Sequence, residues 1–287
     1  GIGTLETHPI DMLSAYGTIA NGGIRMPRQL ILKVVDEKGK QIWPLDDQKP
    51  EGVEVISPQS AYIITDILAG NTVPSVNPYW GEFAIYRKGV RRPAAYKTGT
   101  TSDNRDVHAY GYLAPPKDKD RPALAAGVWM GNSNNEPNRG SLSLDSSAPL
   151  WSALLEEVSQ KFGISKFRAP AGLDTATVDA FTGLKPGPFT KKTVKELFLP
   201  GTVPAERETI RVSLTVDAAS GLLWRDGCVG PKEQRGFFDL REVESNYPVW
   251  QKANRNWAAR AARGPGRRGG PEGTRTAYFY NSAFQPY

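Results

Sequence analysis

Three stretches rich in strand-forming residues follow one another in quick order, Pro93 to Thr100, Val107 to Leu113 and Ala123 to Met130. Strands so closely spaced read as an antiparallel run, and the last is apolar enough to be central in a sheet. Helix-coding segments lie on both sides. "HPIDMLSAYGTIANGG" has Pro9 at an early helical position and apolar residues at Ile10, Leu13, Tyr16, Ile19 and Ala20, and it stops at Asn21-Gly22-Gly23. A second helix is announced by Ser57 as N-cap and Pro58 as first residue, with Ala61, Ile64, Ile67 and Leu68 as its expected buried stripe. A third begins at Ser146 and should bury Leu150, Leu154, Leu155 and Val158. Helices before and after an antiparallel run predict an α+β class, an antiparallel sheet flanked by helices.

The remaining segments are shorter. "RQLILKVVDEKGKQIW" predicts a hairpin turning at Asp36 to Gly39, and Thr72 to Val90 reads as loop. Beyond Gly163 the chain breaks into short β-like pieces separated by Pro and Gly, and Thr209 to Val216 is one good strand. The expected division is residues 1–163 as the main domain part, 164–206 as a linker or small β segment, and 207–287 as a small β-rich C-terminal extension ending in an Arg/Gly/Pro tail. No internal repeat is evident.

Composition excludes several functions. The chain has 287 residues, 39% apolar and 23% charged, with no run of 18 apolar residues for a membrane span and no signal-peptide pattern at its start. It begins with Gly1, which leads us to expect a piece of something longer. A single cysteine, Cys228, leaves no internal disulfide or CxxC site, and the two histidines, His8 and His108, cannot build a histidine-rich metal site. No metal or cofactor is expected. The net charge of +6 matches one tract: Gln251 to Thr276 holds Lys252, Arg255, Arg260, Arg263, Arg267, Arg268 and Arg275 against Glu272 alone. Without interleaved aromatic platforms this reads as a solvated tail, and no specific nucleic-acid partner is expected.

The chemistry concentrates in "AAYKTGTTSDNRD" (94–106). Strand alternation sets Thr98 and Thr100 on one face and Lys97 and Gly99 on the other. Hydroxyls can bind a carboxylate, a nearby cation raises the local potential, a glycine admits a neighbour closely, and a backbone N–H at a sheet edge can help form an oxyanion hole. Ser102-Asp103-Asn104 begins five residues after Lys97 and would run off the end of the same strand, so it reads as turn chemistry. Ser75-Val76-Asn77 is a second chance match of the same kind.

Several blocks, in order, resemble the class A penicillin-binding proteins, the bifunctional peptidoglycan synthases. "HPIDMLSAYGTIANGG", "VISPQSAYIITDIL", "YKTGTTSDNRDVHAYGYLAP", "AAGVWMGNSNN", "SSAPLWSALL" and "VKELFLPGTVPAE" match the C-terminal half of that family's transpeptidase domain and the segment after it, over roughly Gly1 to Glu206. The resemblance implies a penicillin-binding transpeptidase, β-lactamase-like fold, incomplete in this chain. It implies a D,D-transpeptidase that joins D-Ala-D-Ala stem peptides and is acylated by β-lactams. Lys97, Thr98, Gly99 and Thr100 would form one catalytic wall, and Thr98, Thr100 and Thr101 would bind substrate. It further implies an upstream glycosyltransferase domain, an N-terminal membrane anchor outside this chain, and a place on the outer face of the bacterial plasma membrane. The family's nucleophile is a serine three residues before a lysine, which takes its proton; no serine here has Lys at that spacing. The nucleophile is therefore expected upstream, and this chain alone is expected to be inactive. Where the family has an aromatic pair after the strand-opening aspartate, this chain has His108 and Tyr110 around Ala109. The alternatives are a D,D-carboxypeptidase or β-lactamase-like hydrolase, and a non-catalytic binding module for cell wall or anionic polymer.

Overall fold

The computed structural model describes residues 5–43, 50–117, 122–138, 140, 142–219, 223, 224, 226, 229–239, 246–261 and 279–281. Cys228 and the Arg-rich stretch from Arg263 to Arg275 lie outside the described residues. The chain forms two compact units, residues 1–173 and 174–287. That division differs from the expected one: residues 164–173 go with the first unit, and strands inside the supposed linker belong to the second.

In the first unit, α1 (Pro9–Ala20) leads to β1 (Ile24–Arg25), followed by β2 (Val34–Val35), β3 (Gln41–Trp43) and β4 (Val53–Glu54). β2 and β3 make the expected hairpin, and β1 pairs with β4. The hairpin turns on Asp36, whose carboxylate accepts from the N–H groups of Lys38 and Lys40. Helix α2 (Pro58–Gly70) starts as expected, with the Ser57 hydroxyl accepting from Ser60 N–H at 3.1 Å. The segment 72–90 is not all loop. A 3₁₀ turn at Trp80–Phe83 precedes β5 (Ile85–Arg87), which pairs with β6 (Val90–Arg92) across Lys88-Gly89.

The three expected strands are β7 (Ala94–Thr100), β8 (Asp106–Leu113) and β9 (Ala125–Gly131), antiparallel in the order β7-β8-β9. Helix α3 (Ser147–Val158) packs on one face. Its buried side keeps only Leu155 of the expected stripe. Ala148, Trp151 and Leu155 are inside, while Leu150, Leu154 and Val158 are exposed. The sheet decides this: the Trp151 ring stacks on Tyr96 at 4.6 Å and its Nε1–H donates to the Ala126 carbonyl, contacts that an aliphatic stripe could not make. Ala94, Ala109, Leu113, Ala126 and Val128 complete that core. The other face carries α1 and α2, with Tyr16 of α1 against Tyr110 and the Thr65 hydroxyl 2.7 Å from that of Tyr112. Here too the stripe holds only in part, since α2 buries Ala61 as expected but adds Thr65 and leaves Ile64 and Ile67 exposed.

The second unit contains β10 (Asp174–Asp179), β11 (Thr193–Phe198), β12 (Arg211–Asp217), β13 (Lys232–Asp239), α4 (Pro248–Ala261) and β14 (Phe279–Asn281). Of these, β12 is the strand expected at Thr209 to Val216. β10 pairs with β11 and β12 with β13, so two long hairpins follow in series. They repeat one pattern, and the sequence repeats with them: "TVDAFTGL" (177–184) and "TVDAASGL" (215–222). In each, the strand ends at Asp, and the N–H of the following Ala bonds the carbonyl just before the return strand, Ala180 to Lys192 and Ala218 to Pro231. The expectation of no internal repeat is thus corrected.

Candidate active site

β7 is an edge strand, and the direction of its peptide groups follows from their partners. Pro93 accepts from Ala114 N–H and Thr101 N–H donates to Asp106, so odd-numbered positions bond across to β8. The carbonyls of Ala94, Tyr96 and Thr98 accept instead from the side chains of Thr72, Asn71 and Lys97. Even-numbered peptide groups therefore turn to the free edge, and Thr100 shares their parity.

The side chains divide as alternation requires. Lys97 and Gly99 share a face with Tyr110 and His108, their partners in register. Lys97 is exposed, with Nζ 2.6 Å from the Thr98 carbonyl oxygen and 5.4 Å from the centre of the Trp80 ring. Thr98 and Thr100 lie on the α3 face. Thr98 is 6% exposed, whereas Thr100 is open and its hydroxyl donates to Ser143 Oγ at 3.1 Å. Thr101 is taken up by the turn: its hydroxyl donates to Asp106 and accepts from Asp106 N–H at 2.8 Å. Ser102–Asn104 forms an exposed 3₁₀ turn joining β7 to β8, with Asp103 and Asn104 at positive φ, as its turn chemistry predicts.

Gly99 has a specific neighbour. A Cβ placed on it would lie 2.2 Å from His108 Cε1, so the glycine leaves room for the imidazole. Among the described residues, His108 Nδ1 is buried without a hydrogen-bond partner. Burial first, then the Lys97 charge, hold its pKa below the usual histidine value, while Asp106 acts in the opposite sense. Sequence reading passed over His108, Asn71, Thr72, Trp80 and Ser143 as parts of this wall. Counting back across the turn from Thr100 and Val107 would have set His108 opposite Gly99. Nothing local marks the others.

An antiparallel sheet with helices on both faces and K-T-G on its edge strand defines the fold of a penicillin-binding transpeptidase. The comparisons agree. Residues 1–128 match the family described as penicillin-binding protein transpeptidase domain, and residues 169–210 the penicillin-binding protein 1A C-terminal domain. Penicillin-binding protein 1A of Clostridium botulinum is 30% identical over 228 residues, 76% of this chain and 25% of the relative. Penicillin-binding protein 2D of Bacillus subtilis is 26% identical over 71% of this chain and 28% of its own length. The crystal structure of penicillin-binding protein 1A from Haemophilus influenzae superposes with a TM-score of 0.56 at 20% identity, over 71% of this chain and 33% of that one. The chain belongs to the class A penicillin-binding proteins and spans about a quarter of the length of those curated relatives. No helix among the described residues is long and apolar enough to cross a membrane.

Proposed function

We propose that residues 1–163 supply the K-T-G wall of a serine D,D-transpeptidase that cross-links peptidoglycan, with the nucleophile supplied from outside these 287 residues. A serine hydroxyl attacks the carbonyl of a D-Ala-D-Ala stem and the terminal D-alanine leaves with the proton. The amine of a neighbouring stem then displaces the serine. The observation that carries this reading is the free edge of β7, where the even-numbered peptide groups turn outward under the Lys97 ammonium.

Each residue of the wall has a part. Thr100 N–H donates to the developing oxyanion, a contact worth about 3 kcal/mol in enzymes from which it has been removed. The exposed Thr100 hydroxyl and Lys97 take the substrate carboxylate, or the equivalent group of a β-lactam. Thr98, nearly covered, acts across the same edge as the lesser hydroxyl. Gly99 makes room on the Lys97 face for its neighbour across the sheet, and Thr101 acts through the turn that ends the strand. The same reading places a glycosyltransferase domain and a membrane anchor elsewhere in the protein, and the enzyme at the outer face of the bacterial plasma membrane.

The first test is labelling with a fluorescent penicillin. The isolated chain should show no covalent label on a denaturing gel, and a stable label would overturn the argument for an external nucleophile. In the full-length protein, Lys97→Ala should slow acylation about a hundredfold, by analogy with loss of one preorganised donor. An unchanged rate would remove Lys97 from the wall.

A further inference from the structure

His108 stands on the Lys97 face and has no part in the roles above. It lies directly across from Gly99 in the β7–β8 register. The ring fills the room that a Cβ on Gly99 would take, with Cε1 and Nε2 at 2.2 and 2.3 Å from that point. It therefore rests on the backbone that leads into Thr100, the residue whose peptide group turns to the free edge.

The surroundings of the ring are defined from each element. β7 brings Lys97. β8 brings Asp106 and Tyr110, whose ring is 5.5 Å from the imidazole. Tyr16 of α1 reaches the cluster through Tyr110 at 5.7 Å, and β9 brings Trp129, which donates from Nε1 to Asp106 Oδ1 at 3.0 Å. Asp106 is thus already engaged by Trp129 and by the Thr101 hydroxyl.

We propose that His108 is a positioning residue for the K-T-G wall: seated neutral on Gly99, it holds the Gly99–Thr100 peptide with Thr100 N–H at the free edge, and protonation beside Lys97 unseats it. Its catalytic consequence rests on the transpeptidase reading. Protonation would set a second positive charge on the Lys97 face and leave an N–H at buried Nδ1 with no acceptor among the described residues. The depressed basicity of the imidazole is consistent with this. A tryptophan at this position would be an aromatic ring able to fill the same seat without titrating.

Two measurements test it. In amide NMR spectra of this chain, the Gly99 and Thr100 resonances should titrate together with the His108 ring, at a midpoint below about 6.5. His108→Trp should abolish that titration while keeping spectral dispersion, and His108→Gln serves if the tryptophan variant unfolds. Amides that ignore the His108 midpoint overturn the proposal. In the full-length protein, penicillin acylation should fall about tenfold per pH unit below that midpoint, as expected when one neutral group is required. In His108→Trp this inflection should vanish, and its persistence overturns the proposal. Coupled amide titration in a full-length protein that acylates at no pH would instead sink the transpeptidase reading.

Discussion

Among the described residues each unit holds an arginine largely out of solvent, and the two meet opposite kinds of partner. In the first unit Arg92 is 3% exposed, and its guanidinium donates to the carbonyls of Ser159, Phe162 and Gly163, closing the end of α3. These partners are neutral dipoles at a helix C-terminus, where a cation is favoured. Burial, and next the neighbouring Arg87, lower its pKa from the ordinary guanidinium value. In the second unit Arg211 pairs with the fully buried carboxylates of Asp179 and, at 3.5 Å, Glu208, while the rings of Phe181 and Phe238 lie beside its guanidinium. Its own N–H also donates to Glu208 Oε1. Gly187 permits this arrangement, since a Cβ there would strike the Glu208 carbonyl at 2.1 Å. One unit therefore caps a helix with a charge, while the other ties its two repeated hairpins together through a node of charges.

The largest effect should come from removing the cation of the charged node. Arg211→Ala strands two buried carboxylates and should destabilise the second unit by about 4 kcal/mol. Arg92→Ala leaves carbonyls short of a donor but no uncompensated charge, so the loss in the first unit should be about 2 kcal/mol. Denaturant unfolding followed by probes in each unit checks both values. Equal losses would break the distinction between dipole and charge partners.

Acid should separate the units next. Burial pushes the Asp179 carboxyl up, but hydrogen bonds from Thr182 and Phe181 N–H, then the Thr190 hydroxyl and Arg211, outweigh it and hold the pKa below the usual carboxylate value. The sign follows from linkage: the stabilisation is fully present above the unfolded value of about 3.9 and is lost as pH falls through the lower folded value. The carbonyls around Arg92 do not titrate and add no such slope. Asp179→Asn should remove the acid-dependent part of the second unit's stability, measured as the change in unfolding midpoint between neutral pH and pH near 3. A variant with the wild-type slope would move the origin of the acid response elsewhere.

How much of this was legible in the sequence depended on whether the cause was local. The bounds of α1 and α2, the three-strand run and the Ser102–Asn104 turn are set by Pro, Ser, Gly, Asn and alternation acting over a few residues, and they read correctly. The buried faces of α2 and α3 did not, because Thr65 and Trp151 are chosen by a tyrosine hydroxyl, a tyrosine ring and a carbonyl on distant strands. The repeat in residues 177–184 and 215–222 was in plain view but hidden by unlike flanks. At the site, alternation correctly separated Lys97 and Gly99 from the two threonines. It could not say that Thr98 would be nearly covered, nor that Asn71 and Thr72 would hold the outer carbonyls of β7.

Those two residues give the smallest prediction its point. Ser57 is another neutral cap, accepting from Ser60 N–H at the start of α2, and Ser57→Ala should lower the first unit's stability by about 1 kcal/mol. At the far end of α2, Asn71 donates to the Tyr96 carbonyl and Thr72 to that of Ala94. Helix ends fray locally, so losing the first cap should leave those contacts and the β7 edge intact. Penicillin acylation of the full-length Ser57→Ala protein should then match wild type at a temperature where both are folded. A drop in rate without unfolding would mean that α2 acts on β7 as a rigid strut, and neutral capping would then bear on the site as well as on stability.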